Sequence, residues 1–252
     1  MIRLKTPAEI KTLKEGGKIL ASVMKEVVKA AQPGVQTKFL DQLAKKLILD
    51  RQAEPSFFGY QPSNAAQPYP ANICTSVNDV VVHGLPSQYQ LKEGDILKLD
   101  FGVKYKNLFT DAAVTVLIGK VAPEILKLIK ITKKSLFLGI SQAKAGNTLG
   151  DISWAINNFV EQSGFKIIKT LTGHGVGFDV HEDPVVLNYG KKGEGIKLES
   201  GLVIAIEPMV SLGSGEVIQR KDGSFVTSDS AFSAHFEHTI AITQKGPLVL
   251  TL

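Results

Sequence analysis

Four acids and one histidine stand out for where they fall along the chain. Asp100 and Glu207 each tip a largely apolar run, Ile96-Leu97-Lys98-Leu99 and Leu202-Val203-Ile204-Ala205-Ile206. Each run reads as the first strand of a β-hairpin. Asp100 and Asp111 are equidistant from the middle of a turn near Lys104 to Asn107. A regular hairpin would set them opposite each other with Cβ atoms about 4.5 to 5.5 Å apart. Glu207 and Glu237 are symmetric about Asp222, where Asp222-Gly223 is a turn signal. A lone acid at a strand end is ordinarily a surface charge. Four that converge in a poorly solvated place cannot all stay ionised unaided. Two divalent cations would balance them, and hard carboxylate oxygens with one imidazole suit Mn, Fe, Co or Zn.

His174 is the best source of that imidazole. In Gly173-His174-Gly175-Val176-Gly177 the glycines let the backbone pass close to whatever the histidine holds. The loop lacks the lysine of a P-loop and the spacing of a dinucleotide fingerprint. His83 and His181 recur in two His-x-x-Pro segments and would face the same centre from opposite sides, polarising a carbonyl or holding a scissile amide. Strand alternation puts His235 on the face of Glu237 and points His238 away.

The elements that must position these groups are written twice. Pro7-Ala8-Glu9-Ile10 opens an amphipathic helix, and Ala122-Pro123-Glu124-Ile125 opens another. Each ends at a glycine turn, Pro33-Gly34 and Ala145-Gly146. A second helix follows in each half, near Lys38 to Arg51 and Leu149 to Ser163, with Thr37 and Thr148 as expected N-caps. Downstream, Gly94 and Asp100 match Gly201 and Glu207, both 107 positions on. The order predicts an α/β unit duplicated about a pseudo-twofold axis, with repeats of approximately 1–120 and 121–252. No linker divides them, so one catalytic domain over 1–252 is expected.

The totals agree with one sizeable core: 252 residues, 44% of them hydrophobic and 21% charged. Cys74 is the only cysteine, which excludes an intrachain disulfide and a multi-cysteine metal site. The N-terminal stretch lacks the apolar segment of a signal peptide, and no apolar run approaches the ~18 to 20 residues that cross a bilayer. A cytoplasmic protein without a membrane partner is expected. The net charge of +5 and pI near 9.1 read first as a solvated lysine-rich surface. They would also help a transient contact with ribosomal RNA.

Taken together, the segments resemble the type I methionine aminopeptidases of the pita-bread metallopeptidase family. The resemblance runs from Thr6-Pro7-Ala8-Glu9-Ile10 through Val82-His83-Gly84-Leu85-Pro86 and Gly173-His174-Gly175-Val176-Gly177. It continues through His181-Glu182-Asp183-Pro184 and Ile206-Glu207-Pro208-Met209 to Phe236-Glu237-His238-Thr239. It implies a central curved, mainly antiparallel sheet covered by helices, and removal of the N-terminal methionine from nascent chains with a small second residue. It implies Asp100, Asp111, His174, Glu207 and Glu237 as ligands of two divalent ions (Co, Mn, Fe, Zn or Ni). Glu207 would aid formation of the attacking hydroxide, and His83 and His181 would contact substrate. Phe57, Tyr60, Tyr69 and Cys74 would line the methionine pocket, and Thr115 would support the ligands. A monomer without sequence-specific nucleic-acid binding is expected.

The chain departs from the family pattern at Val180, where phenylalanine is usual, and in a longer Gln61 to Pro68 loop. It also lacks the tryptophan often found on the second hairpin, a place Phe225 would fill. Two other readings are a prolidase or aminopeptidase P relative, and a catalytically dead pita-bread protein that binds RNA or ribosomes. The first is disfavoured because the extra N-terminal domain of those enzymes has no counterpart here, the second because all five ligands are present.

Overall fold

A computed structural model describes residues 2–61 and 67–252 of the chain. Helix α1 (Pro7–Ala30) starts at a capping box. Glu9 N–H donates to the Thr6 hydroxyl at 3.3 Å, and Thr6 N–H donates to the Glu9 carboxylate at 2.7 Å. Pro7 occupies the first turn, where a missing N–H costs nothing. Helices α2 (Thr37–Asp50), α3 (Pro123–Gln142) and α4 (Leu149–Gln162) follow in the expected order. Gly34 and Gly146, at the two turns, have φ of 87° and 96°, a conformation that favours glycine.

Thr148 caps α4 through a second capping box, with Asp151. Thr37 does not cap α2. It is the first helical residue, behind a Gln36 N-cap that makes no side-chain bond. Its hydroxyl instead accepts from Ser87 N–H (2.9 Å) and donates to Ser87 O (3.2 Å), which ties α2 to the chain just after His83. Two large apolar clusters lie behind the strands. One joins α1 and α2 residues such as Leu20, Leu40 and Ile48 to Leu97, Leu99 and Phe101. The other joins α3 and α4 residues such as Leu136 and Ile152 to Ile204, Ile206 and Ile240.

The first hairpin pairs strand Ile96–Tyr105 with Leu108–Leu117 across a two-residue turn, Lys106-Asn107. Both turn residues have positive φ (50° and 62°), the pattern of a type I′ turn. The turn is shorter than the Lys104 to Asn107 span expected, so the register moves. Asp111 lies opposite Gly102, and Asp100 lies opposite Ala113. The direct opposition of Asp100 and Asp111 is therefore corrected to a diagonal one. A two-residue shift keeps both side chains on one face, since side chains alternate with period two. In the second hairpin Met209↔His235, Ile206↔His238 and Val217↔Thr227 share one register. That register sets Glu207 opposite Glu237, as their symmetry about Asp222 predicts.

All strand pairings among the described residues are antiparallel. The hydrogen-bonded ladders of this mainly antiparallel architecture fall into four groups. The main break falls at the acids of the second hairpin. Pro208 has no N–H to offer, and Glu237 N–H turns away to Ala113 O at 2.9 Å.

That bond belongs to a seam between the two hairpins. The Thr239 hydroxyl accepts from Asp111 N–H (2.9 Å) and donates to Asp111 O (2.7 Å). The Thr115 hydroxyl treats His235 in the same way, at 2.9 Å and 2.7 Å. Along this line the strands are joined largely by side-chain hydroxyls in place of backbone ladder bonds.

Gly17 separates helix propensity from packing. Alanine normally stabilises a helix interior relative to glycine by roughly 0.5 to 1 kcal/mol. A Cβ at Gly17, however, would come within 2.1 Å of Leu250 O. Gly17→Ala should therefore destabilise the protein by about 1 to 3 kcal/mol, read as a lower denaturation midpoint. An unchanged or higher midpoint would mean that α1 does not press on the C-terminal segment.

Candidate metal centre

The seam delivers the acids to one place. Asp100, Asp111, Glu207 and Glu237 are all buried. Donor atoms of Asp111, His174 and Glu237 lie within 4.8 Å of one another, and so do those of Glu207, His235 and Glu237. Glu237 belongs to both groups. Asp100 is in neither, although it shares the face of Asp111 and acts electrostatically on Asp111's neighbours Glu207 and Glu237. The Glu207 carboxylate sits between two imidazoles, with His174 Nε2 at 3.4 Å and His235 Nε2 at 3.2 Å. Asn188 Nδ2 donates to the Glu207 carbonyl at 3.0 Å.

The electrostatics of the protein's own groups describe a demand for positive charge. Burial, then Asp111, pushes the Asp100 carboxyl well above its ordinary value. Burial raises Asp111 to about 7, against the pull of the Ala112 N–H. Glu207 and Glu237 are driven up by burial first and by the neighbouring acids second. Burial also holds His174 near 4 and His235 near 3, so both rings are neutral and able to ligate. Glu237 Oε1 and His235 Nδ1 are buried without a hydrogen-bond partner among the described residues, and His235 Nε2 meets the Glu207 carboxylate at 3.2 Å without hydrogen-bond geometry. Unfilled donor sites, hard oxygens and neutral imidazoles fit divalent metal.

The other expected residues surround this centre. His181 packs edge-on against His174, ring centroids 4.3 Å apart, and its Nδ1 is 2.9 Å from the Tyr60 hydroxyl. His83, in a left-handed conformation with φ 59°, meets Phe225 edge-to-face at 5.9 Å. Both histidines are exposed at the surface yet hemmed in by protein, and desolvation holds their imidazoles below the ordinary value. Cys74 lies opposite Asp100 in register, so its buried thiol shares that face, and burial pushes the thiol up. Phe57 and Tyr69 stack edge-to-face at 6.3 Å, and Cys74, Tyr60 and Val180 join them in one apolar cluster. Of the 61–68 loop, residues 62–66 lie outside those described. Its flanks are joined by Tyr69 N–H to Tyr60 O (2.8 Å) and Gly59 N–H to Tyr69 O (2.9 Å), which hold Tyr69 beside the cluster.

Some placements were not anticipated. Thr115 reaches the centre only through the main chain of His235. Thr239, its counterpart on Asp111, carried no signal beyond a threonine two residues past an acid. His238 does point away, its Nδ1 2.9 Å from the Thr251 hydroxyl. Lys98 is fully buried, with Nζ 2.6 Å from Asn78 O; burial lowers it to about 7 against the pull of Asp79 and Asp95, and its charge acts on His235. A lone lysine on the Asp100 face of an apolar strand was the available clue.

Antiparallel ladders backed by paired helices, closing over a buried carboxylate–imidazole cluster, define a pita-bread metallopeptidase. Comparison with known proteins agrees: the chain belongs to metallopeptidase family M24, whose model matches residues 11–244. A methionine aminopeptidase of Clostridium acetobutylicum is 45% identical, over 100% of this chain and 99% of the relative. The crystal structure of a methionine aminopeptidase from Thermotoga maritima superposes with a TM-score of 0.95 at 42% identity, covering 100% of this chain and 99% of that one. An Xaa-Pro dipeptidase from Bacillus anthracis shares the fold at TM-score 0.79 and 22% identity, over 98% of this chain and 61% of its own. The chain is thus a divalent-metal peptidase, and no helix among the described residues is long and apolar enough to cross a membrane.

The raised carboxyls give the metal-free protein a definite response to pH. A group held above its unfolded value stabilises the fold at low pH and loses that contribution as pH rises through the folded value. All five histidines are shifted the other way, and their opposing effect is complete above about pH 6.5. Asp111, held near 7, loses its proton in this range; Asp100, Glu207 and Glu237 are shifted in the same direction, and the lowered Lys98 and Lys5 amines oppose them. The melting temperature of chelator-treated protein should therefore fall as pH rises from 6.5 through 7, and added Mn²⁺ should reverse the fall. A flat profile, or no response to Mn²⁺, would contradict this electrostatic account.

Proposed function

We propose that this chain removes the N-terminal methionine from nascent proteins and peptides, favouring a small second residue. Two divalent ions would be held by Asp100, Asp111, His174, Glu207 and Glu237. The observation that carries the reading is the burial of four carboxylates together, none of them paired with a lysine or arginine among the described residues. Bound there, divalent cations polarise the scissile carbonyl, generate a nucleophile from water and hold the free amine of the substrate. Ions among Co, Mn, Fe, Zn and Ni suit the donor set, and availability selects between them.

The chain's own groups supply the rest. Glu207 takes a proton at its carboxylate and passes it to the departing amine. His181 and His83 flank the centre and hold the scissile amide. The Tyr60 hydroxyl orients the His181 ring at Nδ1, which leaves Nε2 for the substrate. Phe57, Tyr69, Cys74 and Val180 form an apolar recess beside Asp100, suited to an unbranched thioether side chain. The smaller Val180 widens the recess where its relatives are expected to carry phenylalanine. The division into halves of about 1–120 and 121–252 within one catalytic unit belongs to the same reading. It is supported by the repeated helix pairs, and by Gly94 and Gly201 with φ of 95° and 100° ahead of the two acid-tipped strands.

Release of methionine from a Met-Ala peptide after chelation and re-addition of single metals tests the proposal. Turnover should return with metal, and an Xaa-Pro peptide should be left intact. Preferential cleavage of the Xaa-Pro peptide would move the chain to the prolidase side of the family. Asp100→Ala and Glu207→Ala should each abolish turnover while the fold is kept, because each removes a carboxylate from a like-charged buried cluster. Full methionine release by either variant would overturn the ligand assignment.

A further inference from the structure

The N-terminal arm, residues 2–6, makes contacts that neither fold nor metal centre requires. The Thr6 capping box fixes the chain direction at the start of α1. The preceding residue is then held by its own N–H, which donates to Gly201 O at 2.7 Å. This aims the Lys5 side chain inward, where it is 1% exposed. Its stem crosses Gly177 so closely that a Cβ there would lie 2.5 Å from Lys5 Cε. That contact, with the φ of 138°, accounts for the last glycine of the 173–177 loop. Lys5 Nζ then pairs with the Glu182 carboxylate and lies 4.9 Å from the centre of the Phe178 ring. Arg3 reinforces both contacts, at 3.3 Å from Glu182 and 4.4 Å from the ring centre.

Phe178 and Glu182 bracket Asp179, Val180 and His181. An ammonium this deeply buried loses several kcal/mol of hydration, and an apolar side chain of similar length would fill the space without that loss. Burial lowers the Lys5 amine despite its carboxylate partner. The cost is met at the two residues that bracket the loop carrying His181.

We propose that Lys5 and Glu182 form a positioning pair for His181: the buried ion pair anchors the residue next to that histidine and so holds its ring against His174 and Tyr60. This rests on the substrate-contacting role given to His181 above. Neither Lys5 nor Glu182 touches the metal ligands' donor atoms; they act through the loop.

The test is a double-mutant cycle on methionine release. Lys5→Met should lower kcat/KM about tenfold, mainly through kcat, and Lys5→Arg should recover most of the loss. In a His181→Ala background, Lys5→Met should cost nothing further. An equal loss in both backgrounds, or none in the wild-type background, would overturn the proposal. A readout independent of turnover is the His181 imidazole NMR signal of the metal-free protein. It should shift in Lys5→Met and Glu182→Gln and stay in place in the surface control Lys46→Met. An unmoved signal in the first two would also overturn the pairing. Wild-type protein that releases no methionine would count against the functional reading alone, since the NMR comparison still decides this one.

Discussion

The structure depends on a short line of contacts where strand Leu108–Leu117 meets the 235–239 stretch. Strand pairing ordinarily fixes the relation of two hairpins through backbone ladders, but here the strands part around a cluster of buried acids. Thr239 and Thr115 bridge the gap, each hydroxyl serving one N–H and one C=O of the facing residue. Between them Glu237 N–H meets Ala113 O directly. Because Asp111, Glu237 and His235 are themselves the residues gripped, the joint between the hairpins and the geometry of the centre are the same object. A buried polar line of this kind is stable only if fully satisfied, and its backbone groups are.

The acids could not be gathered so tightly without some other charge to answer them. The protein alone leaves its carboxyls raised and its imidazoles lowered, so protons and metal compete for the same oxygens. Ligand preorganisation and metal affinity are here two sides of one electrostatic cost. The two apolar clusters behind the hairpins supply the burial that sustains it.

Much of this was legible in the sequence, and the exceptions are instructive. Helix order, the Thr148 cap and the opposition of Glu207 and Glu237 followed from local patterns and symmetry. The Asp100–Asp111 register did not, because counting inward from the acids gives the midpoint of a four-residue turn. The chain instead turns at Lys106-Asn107, where both residues accept positive φ. Thr37 looked like a cap because hydroxyls favour that position. A contact with Ser87, fifty residues away in sequence, claimed the hydroxyl instead. Thr239, Lys98 and Lys5 were illegible for the same reason: what makes them special is a partner far along the chain. Identity of residue type is local information, and the assignment of its hydrogen bonds is not.

The seam also dictates where the chain can change length. The two hairpins are registered against each other away from their tips, by the hydroxyl bridges and the Glu237–Ala113 bond. Residues added at Lys106-Asn107 or around Asp222-Gly223 would lengthen an exposed ribbon and leave the acids in place. A single residue added between Asp111 and Thr115 would rotate one bridge onto the wrong face. Insertions and deletions in related chains should accordingly gather at the hairpin ends and spare a stretch of five residues near the middle of the molecule.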